Sequence, residues 1–290
     1  MEGTIIKIVR GLYYVDTKEG IIPCKARGLF REKDITPLVG DRVTLRISDE
    51  DGSGYIESIM PRRNELLRPA VANIDSALIV FSIRQPMLNT YLLDKNLLMT
   101  EHYGIDTNIC FTKSDLNKKN ELDKYVEIYK NIGYNVFVIG KEDMSGLDLL
   151  VESLQGKTTS VSGPSGVGKS TLINHIDPKL ELETSKVSVK TERGRHTTRH
   201  IELIPLNHNT YILDTPGFSS LALEFIMDEK EVSKNFIDFR KYSDECQFLD
   251  CMHINEPNCA IKEKIGSKIH QSRYDNYLLF IDEIKKTRRY

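Results

Sequence analysis

The chain has 290 residues, enough for two or three domains that each bury a core. Its 40% hydrophobic and 28% charged residues describe an ordinary globular protein and exclude a disordered, collagen-like or low-complexity chain. Forty Lys and Arg against forty-two Asp and Glu leave a formal charge of −2, so global charge does not point to a polyanion and such a partner would need local basic patches. The apolar runs are too short to span a bilayer and the start MEGTIIKIVRG lacks the apolar stretch of a secretory signal, so a cytoplasmic location is expected.

Residues 1–68 read as five short strands, 4–9, 12–16, 21–26, 41–47 and 55–59, punctuated by Gly11, Gly20, Gly40 and the run Asp51-Gly52-Ser53-Gly54. Five strands at this spacing fit an OB-type barrel, a fold whose open face commonly holds oligonucleotides. A barrel that only packs against its neighbour is the other reading. The charged, proline-flanked stretch 61–69 marks a boundary, after which the pattern becomes α/β. Buried strands are expected at 77–82, 105–111 and 135–139, with amphipathic helices at 91–103 and 121–132, which implies a mainly parallel sheet. After about residue 220 only helical segments are expected, including an amphipathic one at 274–284.

The sequence Gly163-Pro164-Ser165-Gly166-Val167-Gly168-Lys169-Ser170 follows an expected strand at 159–162 and opens an expected helix beginning near Thr171. This is a phosphate-binding loop in its required setting. Its glycines let backbone N–H groups wrap a phosphate, Lys169 reaches the β and γ oxygens, and the Ser170 hydroxyl is a magnesium ligand. The loop alone does not separate ATP from GTP. At the end of another strand, Thr112-Lys113-Ser114-Asp115 offers a carboxylate for the ring N–H and amino group of guanine, with the lysine stem over the base plane. A helix cap before Leu116 is the structural alternative. Asp214-Thr215-Pro216-Gly217 follows an apolar strand at 211–213, placing Asp214 to hold magnesium through water and the Gly217 N–H to reach the γ-phosphate. Between these lies the basic segment 193–200 (RGRHTTRH), which reads as a switch ordered by γ-phosphate and metal. Either Thr197 or Thr198 would meet the metal.

These are the landmarks of a GTPase in a permuted order, because the guanine element precedes the phosphate loop. Ligand contacts at the ends of parallel strands survive such a relocation of termini. On TKSD, GPSGVGKST, GRHTTRH, DTPGFSS, the junction RNELLRP with AVANID and a terminal cysteine cluster, the whole chain resembles the RsgA family, also called YjeQ or YloQ. The resemblance implies a circularly permuted GTPase, stimulated by the small ribosomal subunit, that contacts rRNA and acts in late maturation of that subunit. It also implies three domains: an OB-fold RNA-binding barrel at 1–68, a permuted GTPase domain at 69–220 and a helical zinc-binding domain at 221–290. A monomer is expected. Two departures from ordinary GTPases stand out. Thr112 replaces an asparagine, which weakens a bridging contact, and Phe218 follows DTPG where a glutamine would orient water, so intrinsic hydrolysis should be slow. In the family a switch histidine is the proposed substitute, which maps to His196; a surface or RNA-facing role is the alternative. The loop supporting guanine from its other side falls near 139–141.

Cys246, Cys251, His253 and Cys259 form C-x4-C-x-H-x5-C, a set that closes a tetrahedron and leaves no position for substrate water, so a single structural zinc is expected. Cys24 and Cys110 lie in expected strands and read as buried filler. Local basic stretches occur at 186–200, five Lys or Arg against one Glu, and at 262–290, eight against four. They are candidate rRNA contacts, although such runs are commonly solvated faces. Two competing readings remain: a P-loop ATPase or kinase that carries TKSD by chance, and a non-catalytic RNA-binding protein with GTP as a structural ligand.

Overall fold

The computed structural model describes all residues except 27–29, 31–34, 49–51, 68, 119, 181–200, 208, 215–222, 224, 225, 227 and 288–290. The chain divides into two compact units, Met1–Ser76 with Glu152–Val161 and Ser185–Thr215, and Ala77–Val151 with Ser162–Thr184 and Pro216–Tyr290.

In the first unit β1 (Glu2–Val9), β2 (Leu12–Thr17), β3 (Gly20–Ala26), β4 (Arg42–Ile47) and β5 (Gly54–Ile59) close a barrel in the order β1-β2-β3-β5-β4. All neighbours are antiparallel except the β3–β5 pair, which is parallel. Period-two alternation sets the inside and the outside: along β4, Val43 and Leu45 are buried while Arg42 and Arg46 are exposed. Ile5, Val15, Cys24, Val43, Leu45 and Ile56 fill the interior. The five expected strands are all present, with ends shifted by no more than two residues. The stretch expected only as a boundary carries a strand of its own. β6 (Glu65–Leu67) pairs with β7 (Ala70–Ala72), because Leu66 and Val71 face each other in register and are both buried.

The next elements are β8 (Ser76–Ser82), α1 (Thr90–His102), β9 (Asp106–Thr112), α2 (Glu121–Ile132), β10 (Asn135–Ile139), α3 (Ser145–Leu154), β11 (Thr158–Ser162), α4 (Lys169–Ile176), β12 (Leu203–Asn207) and β13 (Thr210–Asp214). Six strands make one sheet in the order β10-β9-β8-β11-β13-β12. β10 runs parallel to β9 and β11 parallel to β13, and every residue of β8 and β11 is buried, as strands covered on both faces require. The edge strand β12 is antiparallel to β13. Asn89 starts α1 by accepting a hydrogen bond from the Leu92 N–H at 3.0 Å, and Gly133 at φ 123° ends α2.

In the second unit α1 is covered on two sides, which explains its unusual run of buried polar residues. Leu93 and Leu97 pack with Ile79, Phe81 and Phe111 of the strands, while Leu98 packs into a separate core with Phe236, Phe239, Tyr277 and Phe280. That second core belongs to α5 (Glu229–Lys234), α6 (Ile237–Arg240), α7 (Ala260–Lys264) and α8 (Gln271–Thr287). Arg273 of α8 is buried between Asp94 of α1 (2.6 Å) and Asp238 of α6 (2.9 Å), with the Phe236 ring 4.4 Å from its guanidinium. Burial works against the Arg273 charge, but Asp238 and Asp94 outweigh it and hold its pKa far above normal. Lys95 adds a 2.6 Å ion pair to Glu283. Removing one partner of such a buried cluster would leave an uncompensated charge and cost about 3–5 kcal/mol.

Candidate functional site

β11 ends at Ser162 and the chain turns at Gly163, whose φ of 140° and contact with β8 admit no side chain: an added Cβ would lie 2.0 Å from the Val80 carbonyl oxygen. Gly166 (φ 79°) and Gly168 (φ 100°) continue the wrap, and Gly168 is the residue from which α4 starts. Val167 is buried and pins the loop, Pro164 is half-buried, and Ser165 and Gly166 are exposed. The Lys169 ammonium donates to the carbonyls of Gly163 (2.8 Å) and Pro164 (2.9 Å), curling over the loop that a phosphate would enter. Ser170 sits half-buried in the first turn of α4, and Thr171 beside it is exposed.

The guanine element lies directly against this loop. Thr112 ends β9, and its buried hydroxyl is within hydrogen-bond reach of the carbonyls of Val167 (2.5 Å) and Phe81 (3.2 Å). Thr112 thus touches the phosphate loop through its short hydroxyl, because β9 runs close to that loop. Lys113 adopts a left-handed conformation (φ 56°), and its ammonium donates to the carbonyls of Gly166 (2.6 Å) and Gln85 (2.5 Å). The ammonium thereby bridges two loops. Ser114, Asp115 and Leu116 form a 3-10 turn, and Asp115 is exposed, with one carboxylate oxygen accepting from the Lys141 N–H at 3.0 Å. The loop after β10, expected near 139–141, thus meets the guanine element through its backbone. The anchor at Gln85 carried no sequence signal, since a carbonyl is common to every residue.

Asp214 is the last residue of β13 and is the register partner of Val161, one residue before the end of β11. His196, Thr197, Thr198 and Gly217 lie outside the described residues.

The cysteine cluster forms a second site. The ligand atoms of Cys246, Cys251, His253 and Cys259 all lie within 4.8 Å of one another. His253 Nδ1 is 3.6 Å from Cys246 Sγ and 3.4 Å from Cys259 Sγ. Tetrahedral zinc with Zn–S of about 2.3 Å and Zn–N of about 2.0 Å would hold N and S about 3.6 Å apart, so the donor set fits that ion. Burial pushes the Cys251 thiol up to about 12 and raises Cys259, while burial lowers His253. Buried thiols of this kind become thiolates only beside a cation. Backbone hydrogen bonds shape the loop. Tyr274 and Tyr277 donate to the carbonyls of His253 (2.7 Å) and Met252 (2.6 Å), and the Glu256 carboxylate accepts from the N–H groups of Met252, Ile254 and Asn255. Burial works to raise the Glu256 pKa, but these N–H donors outweigh it and hold the group below the usual carboxylate value. Cys24 and Cys110 are buried far from such partners in sequence, each in a strand, and desolvation raises both thiols.

Among the described residues no helix is long and apolar enough to cross a membrane. Residues 59–224 match the model of the RsgA GTPase family and residues 2–56 that of the RsgA N-terminal domain. A small ribosomal subunit biogenesis GTPase RsgA from Alkaliphilus metalliredigens is 46% identical over 291 residues, covering 100% of this chain and 99% of the relative. The protein of the same name from Bacillus velezensis is 44% identical over 98% of both chains. The crystal structure of YloQ, described as a circularly permuted GTPase, superposes with a TM-score of 0.83 at 40% identity, covering 99% of this chain and 95% of that one. YjeQ from Thermotoga maritima gives 0.82 at 33% identity, with 97% of each chain covered.

Proposed function

The chain belongs to the RsgA family of GTPases, and from that premise we propose how its residues divide the hydrolysis of GTP among them. The protein is a GTPase of small ribosomal subunit biogenesis. In this reading its parts are an RNA-binding barrel at 1–68, a permuted GTPase domain at 69–220 and a zinc-binding helical domain at 221–290. The backbone of 163–170 and the start of α4 cradle the phosphates. Lys169 exchanges the carbonyls of its own loop for the β and γ oxygens, where charge grows as the γ-phosphoryl group leaves. The Asp115 carboxylate accepts from the ring N–H and amino group of guanine while the stem of Lys113 covers the base. Thr112 fixes the distance between base and phosphate elements.

Water attacks the γ-phosphorus in line with the leaving bridging oxygen, the bond to that oxygen breaks, and GDP and phosphate result. Ser170, Thr198 and Asp214 would hold magnesium, directly or through water, an ion that neutralises charge on the phosphate oxygens. With Phe218 after the DTPG sequence, His196 is the residue assigned to orient the water, and contact with the small subunit brings it into place. Cys246, Cys251, His253 and Cys259 hold one structural zinc, whose closed ligand set keeps the loop folded and offers no open position for chemistry. The barrel, the zinc-binding region and the basic C-terminal residues meet rRNA of the small subunit. The protein acts as a cytoplasmic monomer.

The observation that carries this reading is the contact of two residues of the guanine element with two residues of the phosphate loop, Thr112 with Val167 and Lys113 with Gly166. GTP turnover with and without purified small subunits tests it. Turnover should be slow alone and rise with subunits. Turnover undetectable in both cases would instead favour an RNA-binding protein with GTP as a fixed ligand. Equal competition by ATP would favour a P-loop ATPase or kinase.

A further inference from the structure

The junction 61–75 does not serve as a tether. On the barrel side, Arg62 donates from Nε and Nη2 to the two carboxylate oxygens of Asp41, both at 2.7 Å, and from Nη2 to the Thr36 carbonyl at 2.7 Å; Asp41 is fully buried. Asp41 also accepts from the Leu38 N–H at 2.7 Å. The Ala72 N–H donates to the Val39 carbonyl at 2.9 Å, and Gly40 (φ 90°) passes so close that a Cβ there would lie 2.0 Å from the Ala72 oxygen. At the centre, Asn73 takes a left-handed conformation (φ 57°), accepts from the Arg63 N–H at 2.9 Å and donates to the Gly40 carbonyl at 2.9 Å. Asn64 locks to Ile74 through a reciprocal pair at 2.8 and 2.9 Å.

On the other side the junction grips β11. The Asp75 N–H donates to the Thr158 carbonyl at 2.9 Å, and the Asp75 carboxylate accepts from the Thr158 N–H at 2.8 Å and pairs with Arg63. The buried hydroxyls of Ser76 and Thr159 share a 2.7 Å hydrogen bond. Four residues after Thr158, β11 ends and the phosphate loop begins. With its main polar groups engaged, this short junction has little freedom to hinge.

We infer that Asn64, Asn73, Arg63 and Asp75 are positioning residues for the subunit-stimulated reaction, forming a splint through which displacement of the barrel is passed to β11 and so to the phosphate loop. A coupled element of this kind acts by biasing two arrangements of the loop, one slow and one fast. The inference rests on the proposed stimulation by the small subunit.

The test uses the full-length protein with Asn73→Gly, which tolerates the left-handed backbone but loses both side-chain hydrogen bonds, and Arg63→Gln, which removes only the half-exposed ion pair to Asp75. Turnover alone, GDP affinity, affinity for purified small subunits and stimulated turnover are measured for each. The expected result is unchanged basal turnover, nucleotide affinity and subunit affinity, with stimulated turnover down about tenfold in Asn73→Gly and a few-fold in Arg63→Gln. Stimulation equal to wild type in Arg63→Gln and in a folded Asn73→Gly, judged by its melting curve, overturns the inference. Should Asn73→Gly fail to fold, Arg63→Gln alone decides, with full stimulation overturning the inference and a selective loss supporting it. Absence of stimulation in the wild type would strike at the functional reading, a result distinct from uncoupling in the variants.

Discussion

On the proposed function, the phosphate loop and the cysteine cluster would hold their ligands by opposite means. In the loop the recognising groups would be main-chain N–H donors, and the sequence requirement is conformational, as at Gly163, where φ and the nearby Val80 carbonyl exclude any side chain. In the cluster four side chains within fourteen consecutive positions would supply every ligand, and packing by Phe239, Tyr274 and Tyr277 fixes the loop that carries them. A metal loop of the second kind is complete within itself. A nucleotide site of the first kind draws on segments distant in sequence, as the contacts of Thr112 and Lys113 with the phosphate loop show.

The largest expected effect lies in the cysteine cluster. Chelation of zinc, or Cys251→Ser, should remove about 10–16 kcal/mol of apparent metal-binding energy and melt the C-terminal helical core. Because Leu98 of α1 belongs to that core and Arg273 ties α8 to Asp94, the loss should extend into α1. Thermal melting by circular dichroism alongside bound-metal analysis checks this, and an unchanged melting curve after complete metal removal would contradict it. In the phosphate loop, Lys169→Ala should lower turnover by about 10²–10³-fold with little change in melting temperature, since the lysine is half-buried and its hydrogen bonds to the Gly163 and Pro164 carbonyls stay within one loop. A fall in stability as large as the fall in rate would blur the contrast between the two sites.

The smallest effect is a pH dependence. Glu256 has a lowered folded pKa, so its stabilisation is complete above the ordinary glutamate value near pH 4.3 and is lost as pH falls through the lower folded value. Glu256→Gln should cost about 1–3 kcal/mol at pH 7 and flatten that acid limb. Melting curves from pH 3 to 7 measure both, and parallel profiles for variant and wild type would remove Glu256 from the account.

Much of this was legible because short-range patterns carry it. Alternation along β4, the unbroken apolar run of β8 and the glycine spacing of 163–168 state their conformations locally. The helix α3 carries the 147, 150, 151, 154 spacing of Leu, Leu, Val and Leu, of which Leu150 and Leu154 are buried. The β6–β7 hairpin is too short to show a period, and its charged flanks read as a linker. The rest was invisible for a physical reason. The Thr112 bridge, the Gln85 and Lys141 backbone contacts and the buried Arg273–Asp94–Asp238 cluster depend on how distant segments approach one another, and residue type alone does not encode that distance.

The central claim is that a guanine element placed ahead of its phosphate loop still serves one nucleotide, with Asp115 reading the base. Competition of guanosine and xanthosine diphosphates for a labelled nucleotide, on wild type and Asp115→Asn, tests it most directly. The account predicts that the variant loses about 10- to 100-fold in affinity for the guanine nucleotide and gains preference for the xanthine one. An unchanged order of preference in a folded variant that still binds phosphate would contradict it.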